Sequence, residues 1–256
     1  MKWDFSRNVN YFTSVDKIMK FHNSSKQAEH LVSLQNPKLF YEYTTNFLDY
    51  VSNMELPDVE IATPIIDVFF KRRSSWEFSD EYLNLYDFLK FIKTAIGTSL
   101  TTLDDYGNTV HKRNYPSGGA LYPIKIYILN NNVAGLEKGI YEFRTLHSKD
   151  MLCCVKKIDE YDIDSFTSFK YSNKSFKSTD FIIFLASNLK MDTRYGLLQY
   201  RLTLLEAGHI AQNIMLMSTI FKKNCIPIGG FFEDKLNKFL EIDKINETVI
   251  YFLGVG

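Results

Sequence analysis

Apolar residues recur at loose helical spacing through the first part of the chain, with Leu39, Phe40, Tyr43, Phe47, Leu48 and Val51 as the clearest set. That pattern predicts a mostly helical, polar segment over residues 1–60. Pro57 and Pro64 then mark a linker, "ELPDVEIATP". A denser region opens with "IIDVFFKRRSSWEF". Residues 79–97, "SDEYLNLYDFLKFIKTAIG", read as a helix. Ser79 is the expected N-cap, Asp80 and Glu81 fall in the first turn, and Gly97 stops it. Leu85, Phe88, Leu89, Ile92 and Ile96 recur at helical spacing along it.

Farther on, "IKIYILN" alternates like a strand and "NNVAGLEKG" turns the chain. "GIYEFRT" and "DMLCCVKK" are expected to pair as a hairpin. "DFIIFLAS" is apolar throughout, as a central strand would be. Residues 195–222 give the longest helical signal. Its second half is apolar nearly all round, which predicts burial in the core or in a subunit interface. "CIPIGGFF" reads as a strand and glycine turn, "DKLNKFLEI" as a short helix and "TVIYFLGVG" as a terminal strand. Helices and strands mix without regular alternation, which points to α+β rather than a doubly wound sheet. Neither a Gly-x-Gly-x-x-Gly turn nor a Walker lysine loop is present.

Composition narrows the class. The 256 residues are 45% hydrophobic and 15% aromatic, enough for a sizeable core. Thirty basic side chains balance thirty acidic ones, so no overall field favours nucleic acid or an anionic membrane. Three cysteines, two of them adjacent, make neither a disulfide framework nor a metal site. The opening "MKWDFSRNVNYF" has no long apolar core, and no run reaches the roughly 18 apolar residues of a membrane span. A cytoplasmic location is expected.

Four stretches carry candidate chemistry. "KRRSS" (71–75) offers three cations and two hydroxyls, the donors an anion clamp requires. Taken alone, a solvated charge run capping a helix is the simpler reading. "YPSGGALYP" (115–123) fixes the backbone with Pro116 and Pro123 and frees it at Gly118 and Gly119. A planar ligand could approach such backbone closely; an ordinary turn is an equal reading. "IGGF" (228–231) is a second glycine pair, weak by itself. In "RYGLLQYRLTLLEAGHIAQN", Tyr195 beside Arg194 is a candidate for proton exchange. Glu206, His209 and Asn213 share one helix face, as a satisfied core network or as a site.

In this order the stretches "RRSSWEF", "YPSGGALYPIKIY", "GIYEF", "RYGLLQYRLTLLEAGHIAQN" and "PIGGFFEDKLN" resemble the SagB-type FMN-dependent azoline dehydrogenases. These form a branch of the nitroreductase superfamily that works in the biosynthesis of ribosomally made peptides. The resemblance covers residues 65–256. It implies a nitroreductase-like α+β fold, an antiparallel-rich central sheet flanked by helices. The helical extension of residues 1–60 would precede an FMN-binding domain of residues 61–256. It further implies a homodimer with FMN sites at the subunit interface. Arg72, Arg73 and Ser74 match the segment that holds the FMN phosphate and ribityl chain. Pro116, Ser117, Gly118 and Gly119 match a segment that meets the flavin, often from the partner subunit, and Gly229 and Gly230 match the loop beside the ring.

The implied reaction oxidises thiazoline or oxazoline rings of a precursor peptide to azoles. A cyclodehydratase or leader-peptide-binding protein is the expected partner, and no metal is implied. Two departures stand out. The family places Lys-Tyr where this chain has Arg194 and Tyr195, and arginine cannot act as a neutral base. The C-terminal "FLGVG" lacks the basic phosphate ligands of related reductases, which leaves Arg201 as the compensating candidate. A general FMN nitro- or quinone reductase using NAD(P)H, and a non-catalytic FMN-binding subunit, remain as alternatives.

Overall fold

In the computed structural model, residues 52–57, 65–103, 107–146, 148–167, 175–188, 195, 198–242 and 247–256 are described. The chain divides into two compact units, Met1–Tyr43 with Met191–Leu202, and Thr44–Lys190 with Thr203–Gly256. The second unit carries the sheet. Its strands are β1 (Ser52–Glu55), β4 (Ile124–Asn130), β5 (Gly139–Leu146), β6 (Lys149–Lys157), β7 (Phe181–Asn188), β8 (Cys225–Ile228) and β9 (Glu247–Val255). They lie in the order β1-β6-β5-β4-β7-β9-β8, and each neighbouring pair is antiparallel. Among the described residues the α-helices are α1 (Ile65–Lys71), α2 (Leu85–Ile96), α3 (Leu198–Ile220) and α4 (Glu233–Leu240), and a separate hairpin is formed by β2 (Thr98–Leu103) and β3 (Thr109–Arg113).

Strand β7 shows why the run "DFIIFLAS" is apolar at every position. Phe181, Ile183 and Leu185 face one core, with Phe88, Phe91 and Ile92 of α2 and Ala207, Ile210 and Ile214 of α3. Ile182, Phe184 and Ala186 face the other, with Leu236 and Leu240 of α4. The period of two thus feeds two cores, because helices cover both faces of the sheet. The rings of Phe88 and Phe91 meet Phe181 edge-on at 5.0 and 5.2 Å.

The expected strands, the β5–β6 hairpin and the α3 and α4 helices are all present. Two local expectations change, and a third holds for a different reason. Helix α2 starts at Leu85 with Asn84 as its cap, whose side chain accepts from Asp87 N. The Ser79 hydroxyl instead accepts from Glu81 N and closes a separate turn. Gly97 does end α2, but through close approach: a Cβ there would lie 2.3 Å from Lys93 O and 3.1 Å from the Asp150 carboxylate. Within the stretch expected to be helical, Ser52–Glu55 is a strand paired to β6. Pairing to an open sheet edge outweighs a weak helical periodicity. Residues 1–51 and the linker residues 58–64 lie outside the described residues.

The apolar second half of α3 is absorbed by this chain's own core, where Ile214, Met215 and Met217 are buried. The exposed face of α3 lies earlier, at Leu204, Leu205, Gly208, His209 and Gln212. Among the described residues no helix is long and apolar enough to cross a membrane.

Candidate active site

The loop between β3 and β4 concentrates left-handed backbone. A 3-10 turn spans Gly118–Ala120, and φ is positive at Gly119 (62°), Ala120 (53°) and Tyr122 (48°). For Ala120 and Tyr122 the left-handed region costs roughly 1–2 kcal/mol each, so the surroundings must impose it. The Ser117 hydroxyl accepts from Tyr122 N at 2.9 Å, and Ala120 N donates to Ser117 O at 3.1 Å. The Tyr122 hydroxyl accepts from Arg113 N at 2.9 Å, tying the loop to the end of β3.

Arg113 is the centre of an aromatic cage. Its guanidinium lies 5.0 Å from the Tyr122 ring, 5.2 Å from Phe143 and 5.9 Å from Tyr115, and donates to the Tyr115 hydroxyl at 2.6 Å. Burial works against its charge. Tyr115, Glu206 and Asp150 outweigh burial and hold it above the ordinary arginine range. Burial likewise pushes the Tyr115 hydroxyl up, against Arg113. Behind the loop, Glu206 of α3 is 2% exposed. Burial pushes its carboxyl up to about 7, against the Ser117 hydroxyl, Arg113 and the Ile124 backbone. An open cavity of about 620 Å³ lies between the hairpin and the loop, with Leu100, Lys112, Arg113, Asn114, Ser117 and Tyr122 in its wall.

The polar face expected on the long helix divides. Glu206 is buried and Asn213 half-buried, its amide donating to Ala95 O (3.0 Å) and Asn114 O (2.9 Å). His209 is exposed. Asn213 is therefore a satisfied tie between α3 and the end of β3.

A second cluster forms where α1 ends. Arg73 folds back, its guanidinium donating to Phe70 O (2.8 Å) and Arg72 O (2.7 Å), and caps the helix. Ser74 pairs with Cys225 of β8 in a parallel bridge, and Ser75 N donates to Cys225 O at 3.0 Å. Arg72 is half-buried and close enough to act on the Cys225 thiol, which burial pushes up to about 12. Strand β8 leads on to Gly229 and Gly230, both exposed, and a Cβ at Gly229 would meet nothing within 4 Å. Ser74 is level with Cys225, four residue steps before Gly229, about 13 Å at ~3.3 Å per step. A cation, a hydroxyl and an open glycine backbone are the groups that a ligand with an anionic end and a flat end would use. These residue types are chemically compatible with FMN.

Tyr195 and Arg201 belong to the first unit and both are half-buried. The Tyr195 carbonyl accepts from Leu198 N at 3.0 Å, which places it in the turn entering α3. Arg194 lies outside the described residues. The sequence reading missed Arg113, Tyr115 and Tyr122 as loop-setting residues; the basic run before "YPSGGALYP" was the available signal.

The nitroreductase family pattern matches residues 70–256. The chain belongs to the nitroreductase family. This family of flavin oxidoreductases includes a relative in Methanocaldococcus jannaschii, itself named for the nitroreductases, that is 30% identical over 205 residues, covering 79% of this chain and 95% of its own. The trifolitoxin-processing protein TfxB of Rhizobium leguminosarum bv. trifolii is 24% identical over 158 residues, covering 57% of this chain and 40% of its own. Two solved structures share the nitroreductase fold. A family protein of Anabaena variabilis superposes with TM-score 0.67 at 21% identity, over 93% of this chain and 46% of its own. The Escherichia coli microcin synthetase McbBCD complex, with truncated pro-MccB17 bound, gives 0.57 at 18%, over 93% and 85%. The chain thus spans less than half of TfxB and of the Anabaena protein.

Proposed function

We propose that this nitroreductase-family chain is an FMN-dependent dehydrogenase that oxidises thiazoline or oxazoline rings in a ribosomally made peptide. The observations that favour it over a general reductase are the likeness to TfxB, a protein named for processing trifolitoxin, and to the microcin synthetase complex with truncated pro-MccB17 bound. Bound FMN supplies the two-electron acceptor for such a ring. Arg72 and Ser74 hold its phosphate, and Gly229, Gly230 and the 116–119 backbone lie against its ring. Tyr195 exchanges the proton that the substrate ring loses, with Arg194 as electrostatic support. A homodimer completes the site, and a separate leader-peptide-binding or cyclodehydratase protein delivers the peptide.

The Methanocaldococcus relative favours a second reading, an NAD(P)H-dependent nitro- or quinone reductase, because it matches this chain over nearly its whole length. Purified, FMN-loaded protein separates the two. Under air, loss of two mass units from an azoline peptide supports the first reading. NADH oxidation with a quinone, and an unchanged peptide mass, replaces it with the second.

The phosphate assignment has its own test. Arg72→Ala should weaken FMN binding about tenfold or more, the loss expected for one charge-assisted hydrogen bond of roughly 1.5–3 kcal/mol. Arg73→Ala should cost less affinity, because its guanidinium is engaged by the Phe70 and Arg72 carbonyls. Fluorescence titration of FMN into the apo variants measures both, and equal affinities would move the phosphate elsewhere.

A further inference from the structure

We propose that the outer edge of β3 is a docking strand for an extended segment of the peptide substrate, which pairs with the backbone of Thr109 and His111 and runs from there into the cavity beside the 115–122 loop. This deepens the dehydrogenase reading and rests on it for the identity of the peptide.

Strands β2 and β3 form a hairpin apart from the seven-stranded sheet, so among the described residues each has one edge with no strand beside it. The hairpin stands out into solvent, with Ser99, Leu100, Thr101, Leu103, Thr109 and Lys112 exposed. A two-stranded ribbon is marginally stable by itself in water. Its root is nevertheless held firmly. The buried Asp150 carboxylate accepts from Thr98 N (2.6 Å), Thr98 Oγ1 (2.8 Å), Lys93 Nζ (2.8 Å) and Thr145 Oγ1 (3.0 Å). Asn114 N donates to Gly97 O at 2.8 Å, and the Asn114 amide donates to Lys93 O and Thr94 O. The ribbon is thus presented in place, and a third strand would complete it.

The β3 edge is the one that suits a third strand. A register irregularity between Thr98 and Leu100 disturbs β2. Strand β3 itself pairs residue by residue from Thr109 to Arg113. Arg113 N points away from β2, because it donates to the Tyr122 hydroxyl at 2.9 Å. Backbone groups of an antiparallel strand alternate between its two sides. The N–H and C=O groups of His111 and Thr109 therefore share the side of Arg113 N, and among the described residues no backbone group meets them there. The side chains agree. Thr101 and His111 lie directly opposite, with Thr101 Oγ1 3.0 Å from His111 Nδ1, as in a pair that exchanges no ladder bonds.

Continuity names the occupant. The edge ends at Arg113, where the Tyr122 hydroxyl already takes the place of a third strand's carbonyl. Arg113, Asn114, Tyr115, Pro116, Ser117 and Tyr122 then line the open cavity of about 620 Å³. Thr109 lies four steps before Arg113, about 13 Å at ~3.3 Å per step, so a peptide paired along this edge reaches the cavity without a turn. Main-chain pairing gives affinity for an extended backbone rather than for particular side chains. The ligand class is therefore an extended segment, free of proline where it pairs, with the azoline beyond it.

Hydrogen exchange in FMN-loaded protein tests the edge, with a synthetic thiazoline peptide as the probe. At saturating peptide the His111 amide should exchange about tenfold more slowly, the scale of one hydrogen bond. The Val110 and Lys112 amides face β2 and should change less. N-methylation of the peptide, one amide at a time, should weaken binding about tenfold at every second position of the paired segment. His111→Pro removes the outward N–H and no ladder bond, a change that an edge strand tolerates. It should weaken peptide binding more than His111→Ala, which loses only the imidazole. Equal losses in the two variants, or N-methyl effects without a period of two, overturn the pairing.

Mass spectrometry of the same peptide separates this proposal from the dehydrogenase reading. Oxidation without His111 protection overturns the docking edge. Protection without loss of two mass units keeps the edge and removes the dehydrogenase reading, and neither result removes both. Protection already present in the peptide-free protein and lost on dilution gives the edge to a second copy of the chain, which also overturns the proposal.

Discussion

On the proposed azoline-dehydrogenase activity, azole formation in Tyr195→Phe should fall about 10²-fold or more while folding and flavin binding hold, the usual scale for losing a general acid–base group. The substitution keeps the ring and its packing at the half-buried entrance to α3 and removes only the hydroxyl. Arg194→Lys should be tolerated or raise turnover, since it restores the Lys-Tyr pair of the azoline dehydrogenases and adds a group able to lose its proton when desolvated. Arg194→Ala should slow the reaction by removing the neighbouring cation. The measurement is single-turnover loss of two mass units from an azoline peptide at matched flavin occupancy. A wild-type rate in Tyr195→Phe would remove Tyr195 from the proton transfer and turn attention to a water beside the flavin.

The largest stability loss is expected at Asp180, far from that chemistry. Its side chain is fully buried, accepts from Leu83 N at 2.7 Å and lies 3.2 Å from the buried Lys223 ammonium. Its backbone carbonyl accepts from Asn131 N and Asn132 N, and its N–H donates to Val255 O at 2.7 Å. One residue thus joins the approach to α2, the β4–β5 turn, the end of α3 and the last strand. Burial raises the carboxyl above its ordinary range despite Leu83 N and Lys223. The ion pair is therefore a poor guide to net stabilisation. Breaking it from the acidic side still leaves Lys223 buried without a counter-charge, along with an unmet Leu83 N–H. Asp180→Ala should cost about 3–5 kcal/mol. Lys223→Met should cost less, because the already raised Asp180 carboxyl can take up a proton. Urea midpoints at pH ~7 rank the two, and the reverse ranking would show that Lys223 anchors the junction by itself.

By itself the sequence determined the elements whose pattern is a local property. "IKIYILN" alternates with a strand period, "DFIIFLAS" and the terminal "TVIYFLGVG" are short apolar runs, and each became a strand of the sheet. "SDEYLNLYDFLKFIKTAIG" contained a helix, but its start depended on which of Ser79 and Asn84 lay nearer the apolar face. Packing of Phe88 on Phe181 decided for Asn84. The residue types of the clamp and the glycine loops were also legible, because cations, hydroxyls and glycines announce their chemistry.

Tertiary structure alone decided what depends on residues distant in the chain. No periodicity shows that Ser52–Glu55 completes a sheet edge on β6, since its partner lies about a hundred residues on. No spacing reveals that Arg73 is engaged by its own helix while Arg72 stays beside Cys225. Glu206, Ser117 and Arg113 sit on three elements, and only the folded sheet brings the carboxyl, hydroxyl and cation together. Once they meet in a dry interior, burial raises the carboxyl and makes each hydrogen bond count. A side chain's identity is written locally, whereas its solvation and its partners belong to the fold.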